Sequence, residues 1–599
     1  MTPNDVLRKY FGYSGFREGQ KELINHILDG QDVLGIMPTG AGKSICYQVP
    51  AIMMEGITLV ISPLISLMKD QVQTLNQIGI RAAYLNSSLT YPQYKKAISL
   101  AKTYTYKIIY VAPERLLSEE FLSFAKNMKI SMVCVDEAHC VSQWGQDFRP
   151  HYLQIKDFLQ SLKKRPIVSA FTATATYQVR EDIEHLLMME NPFTLTTSFD
   201  RRNLFFGVEK PKDKYRALIE NIQKYPNQSG IIYCMSRKSV EEVCDRLCAD
   251  GYDATRYHAG LSDEERMKNQ DDFIYDRKLI MVATNAFGMG IDKSNVRFVI
   301  HYHMPKNIES YYQEAGRAGR DGEDADCILL YNGNDVRLNQ FLIENSSGHE
   351  DMDESMIEEL IEKEKERLKS MVYYCTIPTC LRNYMLKYFG ESKDAYCGKC
   401  SNCLTQYMEK NVYEEANILV QCIRESGERF GKSMIADIVR GSKGKKILQY
   451  NLDKIDSFGM IQEYSKSYLY EVIQHLIYVG ILKQSNDGYA VLSIGDLSLM
   501  KNKTVNMKIV KERKEHRIAS HIISENRTLF EHLRLLRLKI AKEKNIPPYL
   551  IFSDKTLHEM CRKKPRNKAA MLKVSGVGEV KYDLYGPKFI EAIRIYMEN

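Results

Sequence analysis

The chain has 599 residues, of which 44% are apolar and 27% charged, with a net charge of +7; this is the balance of folded globular protein and excludes a disordered or membrane-embedded chain. One hydrophobic core does not organise so many residues, so roughly three to five domains are expected. There is no run of about 18 apolar residues, and the start Met1-Thr2-Pro3-Asn4-Asp5 lacks a signal-peptide profile, so a soluble cytoplasmic protein with no membrane partner is expected.

Charge is uneven along the chain. Residues 501–599 hold 23 Lys+Arg against 11 Asp+Glu, a local excess of +12 that leaves the rest near −5. Such a tail fits a polyanion, with an unpartnered solvated surface as the alternative. The 14 cysteines form no short disulfide-rich unit, which fits a reducing compartment.

From about residue 20 to 340, β-branched runs alternate with helical stretches. Asp32 to Ile36, Thr58 to Ser62, Lys107 to Ala112, Met132 to Asp136 and Ile167 to Thr172 form one series. Gly230 to Cys234, Leu279 to Ala283 and Phe298 to His301 form a second, after Phe199 to Asn203. The rhythm predicts two parallel α/β lobes, over 1–200 and 201–342. An acidic stretch, Ser346 to Asp353, leads into a charged helix around Ile357 to Tyr374 and a cysteine cluster, a module over 343–405. Residues 406–510 read as a small helical unit closed by a strand, Tyr489 to Ser493, after the turn Asn486-Asp487-Gly488, which is the pattern of a winged helix. Basic residues from Lys501 to Arg517 bridge to a helical module over 525–599. No solenoid repeat is visible.

Met37-Pro38-Thr39-Gly40-Ala41-Gly42-Lys43-Ser44 follows a strand and precedes a helix, the context of a phosphate-binding loop. Met37 stands where the usual pattern has its first glycine. Thr39, Gly40 and Gly42 bring backbone amides to the phosphates, Lys43 neutralises β/γ charge, and the Ser44 hydroxyl holds magnesium. Asp136-Glu137-Ala138-His139 ends a strand, where ligand sites of α/β sheets lie. Asp136 is expected to reach magnesium, and Glu137 to orient and deprotonate the attacking water. Gln313-Glu314-Ala315-Gly316-Arg317-Ala318-Gly319-Arg320 supplies two arginines read as one helical turn apart, with Arg320 as the finger and Arg317 as its phosphate-contacting neighbour. Cys380, Cys397, Cys400 and Cys403, the last three at C-x2-C-x2-C spacing, offer four thiolates for tetrahedral zinc. Cys375 is either a further ligand or a buried thiol.

These motifs, in this order, resemble the RecQ family of helicases over nearly the whole chain. The resemblance implies a multidomain α/β fold: two RecA-like parallel-sheet lobes, a helical zinc-binding module, a winged helix and a small helical HRDC domain. Phe11-Gly12-Tyr13 with Phe16 to Gln20 is similar to the family's nucleobase motif, so Tyr13, Arg17 and Gln20 are expected to read adenine. Ser142 to Pro150 resembles its aromatic-rich loop, which assigns DNA coupling to His139, Trp144, Phe148 and Arg149. Phe171 to Thr176 and Ala286 to Asp292 match further helicase motifs, the latter adding Gly290 and Asp292 to the nucleotide site. In the HRDC-like region, the Val574 to Gly578 glycine hairpin, flanked by Lys573 and Lys581, is read as a phosphate-holding turn. The implied activity is ATP-driven 3′-to-5′ movement on single-stranded DNA and unwinding of duplex or branched DNA in repair, recombination and replication, close to the nucleoid. ATP, Mg2+ and Zn2+ are the implied cofactors, and DNA, a single-strand-binding protein and recombination factors the implied partners. An RNA helicase and a DNA-binding scaffold without turnover are the alternatives.

Overall fold

The computed structural model describes the chain except residues 64, 143–147, 288–292, 346–353, 392–395, 486–490, 514–523 and 599. It divides into two compact units, Met1–Cys403 with Arg517–Asn599, and Leu404–His516. No described helix is long and apolar enough to cross a membrane.

The first unit contains two parallel sheets. In one, seven strands run in the order Ala82–Leu85, Ile108–Val111, Ile57–Ile61, Ile130–Val135, Ile167–Thr172, Val33–Ile36, Phe193–Thr196. In the other, six run in the order Ala254–Tyr257, Ile280–Ala283, Ser229–Tyr233, Val296–His301, Ala325–Leu330, Leu204–Glu209. Central strands such as Ile57–Ile61 and Ile280–Ala283 are buried at every position, as helix-covered parallel strands must be, so they read as unbroken apolar runs. The strands not singled out in the sequence include the sheet edges Ala82–Leu85, Phe193–Thr196 and Ala254–Tyr257, where burial is incomplete and the apolar signal weaker.

The charged helix expected around Ile357 to Tyr374 spans Glu354–Thr376 and packs on Gly333–Glu344. The acidic stretch before it lies outside the described residues. The C-terminal module is five helices, from Ser524–Lys544 to Glu579–Glu598, around Leu533, Leu557, Met560, Phe589 and Ile593. At its centre Arg537, 1% exposed, pairs with Asp554 at 2.7 Å and donates to the Phe552 carbonyl; the buried charge is thereby both paired and hydrogen-bonded.

In the second unit, helices Tyr413–Glu425, Lys432–Val439 and Lys466–Val479 enclose Leu419, Ile423, Ile435, Leu469 and Ile473. A hairpin of Leu482–Gln484 with Leu492–Ile494 follows; its Asn486-Asp487-Gly488 turn lies outside the described residues. The basic stretch from Lys501, read as a connection, instead holds the strand Asn506–Arg513, antiparallel to Thr405–Asn411. Val505 and Met507 are buried and Ile509 packs on the same core while Lys508 faces out. This two-residue alternation makes a strand, and the surrounding charges mask it in the sequence.

Candidate functional site

The strand Val33–Ile36 delivers the phosphate-binding loop, and the helix Lys43–Met53 leaves it. Gly40 and Gly42 have φ of +83° and +87°, a left-handed backbone that glycine adopts without strain. Met37, in place of the usual glycine, is fully buried; its N–H donates to the Thr172 carbonyl at 2.9 Å and its sulfur lies 3.7 Å from the Cys46 thiol. It anchors the loop to the core, so the departure leaves the phosphate side intact. Gln20 is also buried, and its amide is committed to the loop: Nε2 donates to the Ala41 and Gly42 carbonyls at 3.1 Å, and Oε1 accepts from the Arg17 N–H at 2.8 Å. Arg17 reaches the Gly40 carbonyl. Of the three residues expected to read the base, Arg17 and Gln20 therefore brace the loop here, while Tyr13 stands 43% exposed on the cleft wall.

Asp136 and Glu137 follow the strand Ile130–Val135. The Asp136 N–H donates to the Ile61 carbonyl, and its carbonyl accepts the Tyr152 hydroxyl at 3.0 Å. Burial and then the Glu137 charge raise the Asp136 carboxyl to about 7, against the pull of Lys43. A divalent cation relieves both penalties, so Asp136 with Ser44 fits magnesium. Without metal, Asp136 takes up its proton as pH falls through about 7, and this proton competes with the ion. Mg2+ affinity, titrated calorimetrically from pH 8 to pH 6, is therefore expected to fall several-fold, and a flat profile would refute the assignment. Glu137 adopts φ +47°, a costly conformation for a side-chain-bearing residue that clusters at functional sites. Burial opposes its charge, but Lys43, then His139, Arg317 and Arg320, hold its carboxyl below the ordinary range.

The second lobe contributes Arg317 and Arg320, but not from a helix face. The helix Ile308–Ala315 ends at Gly316, and Gly319 takes φ +53°; two glycines in four residues break the helix and leave both arginines on a tight loop. Arg317 is buried, and an added Cβ on Gly316 would lie 3.4 Å from Thr39 Cβ, so the loop approaches the phosphate-binding loop closely. Lys43, Ser44, Asp136, Glu137, Arg317 and Arg320 line one cleft of about 510 Å3. Its outer wall comes from the C-terminal module, with Tyr549, Lys555, Ser575 and Lys581. The Gly576 N–H, expected to hold nucleic-acid phosphate, donates to the Gly12 carbonyl at 3.2 Å. Sequence reasoning missed this docking; its only signal was the glycines, since a Cβ on Gly12 would come within 2.5 Å of the Gly578 nitrogen.

The sulfurs of Cys380, Cys397, Cys400 and Cys403 all lie within 4.8 Å of one another. Cys397 to Cys403 is 3.9 Å and Cys380 to Cys400 is 4.0 Å. A zinc tetrahedron with Zn–S of about 2.3 Å has sulfur edges of about 3.8 Å, so the donor set fits a four-thiolate zinc with no open position. Backbone N–H groups of Asn383, Lys399 and Cys403 point at three of the sulfurs, which favours thiolate charge. Cys375 lies outside the cluster as a buried thiol that burial pushes up.

Known families match the chain piece by piece: the DEAD/DEAH box helicase over residues 17–183, the helicase conserved C-terminal domain over 213–322, RecQ zinc-binding over 333–404, the RQC domain over 406–516 and the HRDC domain over 526–593. The chain is 41% identical over 592 residues to the ATP-dependent DNA helicase RecQ of Bacillus subtilis, covering 99% of this chain and 98% of that one. This chain is a RecQ family member. The ATP-dependent DNA helicase RecQ of Pasteurella multocida is 38% identical over 99% of this chain and 94% of its own. Mss116p bound to ssRNA and AMP-PNP aligns with a TM-score of 0.48 at 18% identity, over 59% of this chain and 77% of that one.

Of the DNA-coupling residues expected of a RecQ chain, His139 is buried, with Nδ1 2.8 Å from the Thr172 hydroxyl and 3.5 Å from Glu137 Oε2. Thr172 in turn donates to the Thr174 carbonyl at 3.0 Å. This is a continuous polar path from Glu137 into the Phe171 to Thr176 motif, which faces a second cavity of about 340 Å3 between the lobes and the zinc module. Arg149 donates to the Pro63 carbonyl at 3.0 Å, and Phe148 is half-buried. Trp144, Gly290 and Asp292 lie outside the described residues.

Proposed function

We propose that this RecQ chain hydrolyses ATP to move 3′ to 5′ on single-stranded DNA and to separate duplex or branched DNA. The observation that carries the reading is the shared cleft, in which the phosphate-binding loop and acidic pair of one lobe meet two arginines of the other. Hydrolysis that needs both lobes makes lobe closure depend on nucleotide, which converts turnover into motion. Lys43 and the helix N-terminus behind it attract the β/γ charge. Ser44 and Asp136 would hold magnesium, which neutralises phosphate charge when bound. Glu137 Oε2 is buried and accepts no hydrogen bond among the described residues, so it is placed to orient the attacking water and accept its proton as the bond to the γ-phosphorus forms and ADP leaves. Arg320 stabilises the charge that develops on the transferred group, with Arg317 beside it. His139 and Thr172 carry the state of Glu137 toward the DNA-facing loops.

The RNA-helicase alternative is set aside, because the relatives matched from end to end are named as DNA helicases. Setting, location and partners follow the family: chromosomal DNA in repair and recombination, in the cytoplasm, beside a single-strand-binding protein. The test is magnesium- and ATP-dependent unwinding of a 3′-tailed duplex beside a 5′-tailed control. Only the 3′-tailed substrate is expected to open, and Lys43→Ala to abolish opening while DNA binding persists. ATP hydrolysis without unwinding would leave a translocase, and DNA binding without hydrolysis the scaffold.

A further inference from the structure

Arg201 lies in the segment joining the lobes, between the strands Phe193–Thr196 and Leu204–Glu209. A guanidinium has five N–H donors in a fixed fork, and all five are engaged here, none by a carboxylate among the described residues. Nη1 donates to the Thr39 carbonyl at 2.5 Å and the Gly316 carbonyl at 3.2 Å. Nη2 donates to the carbonyls of Ala318 at 3.0 Å and Gly319 at 2.9 Å, and Nε to Asn203 Oδ1 at 3.4 Å. One side chain thus grips the phosphate-binding loop of one lobe and the loop carrying Arg317 and Arg320 of the other. The approach is close: a Cβ added at Gly40 would sit 2.8 Å from Arg201 Nη1, so a side chain there would push the guanidinium aside.

The zinc module fixes the backbone from which Arg201 projects. Arg382, two residues after Cys380 and itself buried, donates to Asp200 Oδ1 and to the Arg201 carbonyl, each at 2.7 Å, and to the Leu204 carbonyl. Glu391 accepts from the Ser198 hydroxyl at 2.9 Å and from the Phe199 N–H.

We propose that Arg201 is a positioning residue for ATP hydrolysis, clamping the arginine loop onto the phosphate-binding loop when the lobes close, and that the zinc module sets this clamp through Arg382. Among the described residues, the hydrogen bonds of Arg201 go to backbone carbonyls of the two loops and to its neighbour Asn203, so it acts on turnover rather than on nucleotide capture. A misplacement of about 1 Å at a catalytic group costs on the order of 100-fold in rate, and Arg201 Nη1 bridges the loop bearing the finger to Thr39 directly.

The inference rests on the ATPase reading, and the parent protein separates the two: a parent that hydrolyses no ATP in the presence of DNA sinks that reading first. Given an active parent, Arg201→Gln is expected to lower the DNA-stimulated kcat roughly 10- to 100-fold, while affinity for a fluorescent ATP analogue and for a single-stranded oligonucleotide changes less than about threefold. Added guanidinium at non-denaturing concentration should restore part of the turnover of Arg201→Ala. Arg382→Gln should reduce kcat in the same direction with its zinc content retained, and the double substitution should be no worse than Arg201→Gln alone. Parent-like turnover in Arg201→Gln, or parallel loss of nucleotide affinity and thermal stability without guanidinium rescue, overturns the clamp. Additive losses in the double variant overturn the link to the zinc module.

Discussion

Glu137→Gln is expected to bind ATP as the parent does and to turn it over at least about 100-fold more slowly, since a positioned general base contributes on the order of 10²- to 10⁴-fold. The substitution keeps the shape of a side chain held in a left-handed backbone beside Asp136 and removes only its charge and proton-accepting oxygen. Because Lys43, His139, Arg317 and Arg320 all pull the Glu137 carboxyl down, the wild-type group is ionised across the neutral range. It is therefore ready to aim the water and accept its proton, and it should not titrate near pH 7, where the metal-free Asp136 carboxyl does. Removing the Glu137 charge also lifts the repulsion that helps raise Asp136, so the metal-free Asp136 carboxyl should titrate lower in the variant. Single-turnover ATP hydrolysis measured beside equilibrium nucleotide binding decides the matter. A variant that loses binding and turnover together would place Glu137 in nucleotide capture, and parent-like turnover would move the base elsewhere.

Local chemistry was legible wherever function demands a residue type at a fixed spacing. Lys43 after two glycines, the acidic pair at a strand end and the C-x2-C-x2-C run announce themselves because phosphate, metal and thiolate geometry leave few substitutes. What stayed hidden depends on neighbours distant in sequence. Met37 looks like a defect in the motif until its side chain is placed in the core against Cys46. Arg317 and Arg320 scan as a helical pair, because i and i+3 positions suit a helix, yet Gly316 and Gly319 end it. Arg201 and Arg382 carry no local signature: most of their partners are backbone carbonyls, present in every residue, and only the fold brings together Thr39, Gly316 and the segment joining the lobes. The glycine hairpin at Gly576 was visible, but which backbone it approaches was not.

Loss of zinc is expected to reach the ATP site as well as the module that holds the metal. Zinc sites of this kind contribute apparent binding free energies of about 10–16 kcal/mol in small zinc peptides, comparable to the roughly 5–15 kcal/mol net stability of a whole domain, so the Cys380 to Cys403 region should not keep its structure without the ion. Its sulfurs are not peripheral. Cys380 and Cys400 belong to one buried cluster with Leu204, Phe206, Tyr311 and Tyr374; Cys400 forms a backbone bridge with Phe206, and Ser401 Oγ accepts from the Val208 N–H at 3.2 Å. The metal loop therefore buttresses the first strand of the second lobe, which begins three residues after Arg201. Cys400→Ser, or prolonged treatment with a strong chelator, should release the zinc measured with a colorimetric indicator, lower the first thermal transition by roughly 10 °C or more, and reduce DNA-stimulated ATP hydrolysis with it. Cys375→Ala, outside the cluster, should retain its zinc. If Cys400→Ser lost zinc but kept both its thermal transition and its ATPase rate, the ion would be an isolated staple, and the mechanical continuity from thiolates through the segment joining the lobes to the phosphate-binding loop would fail.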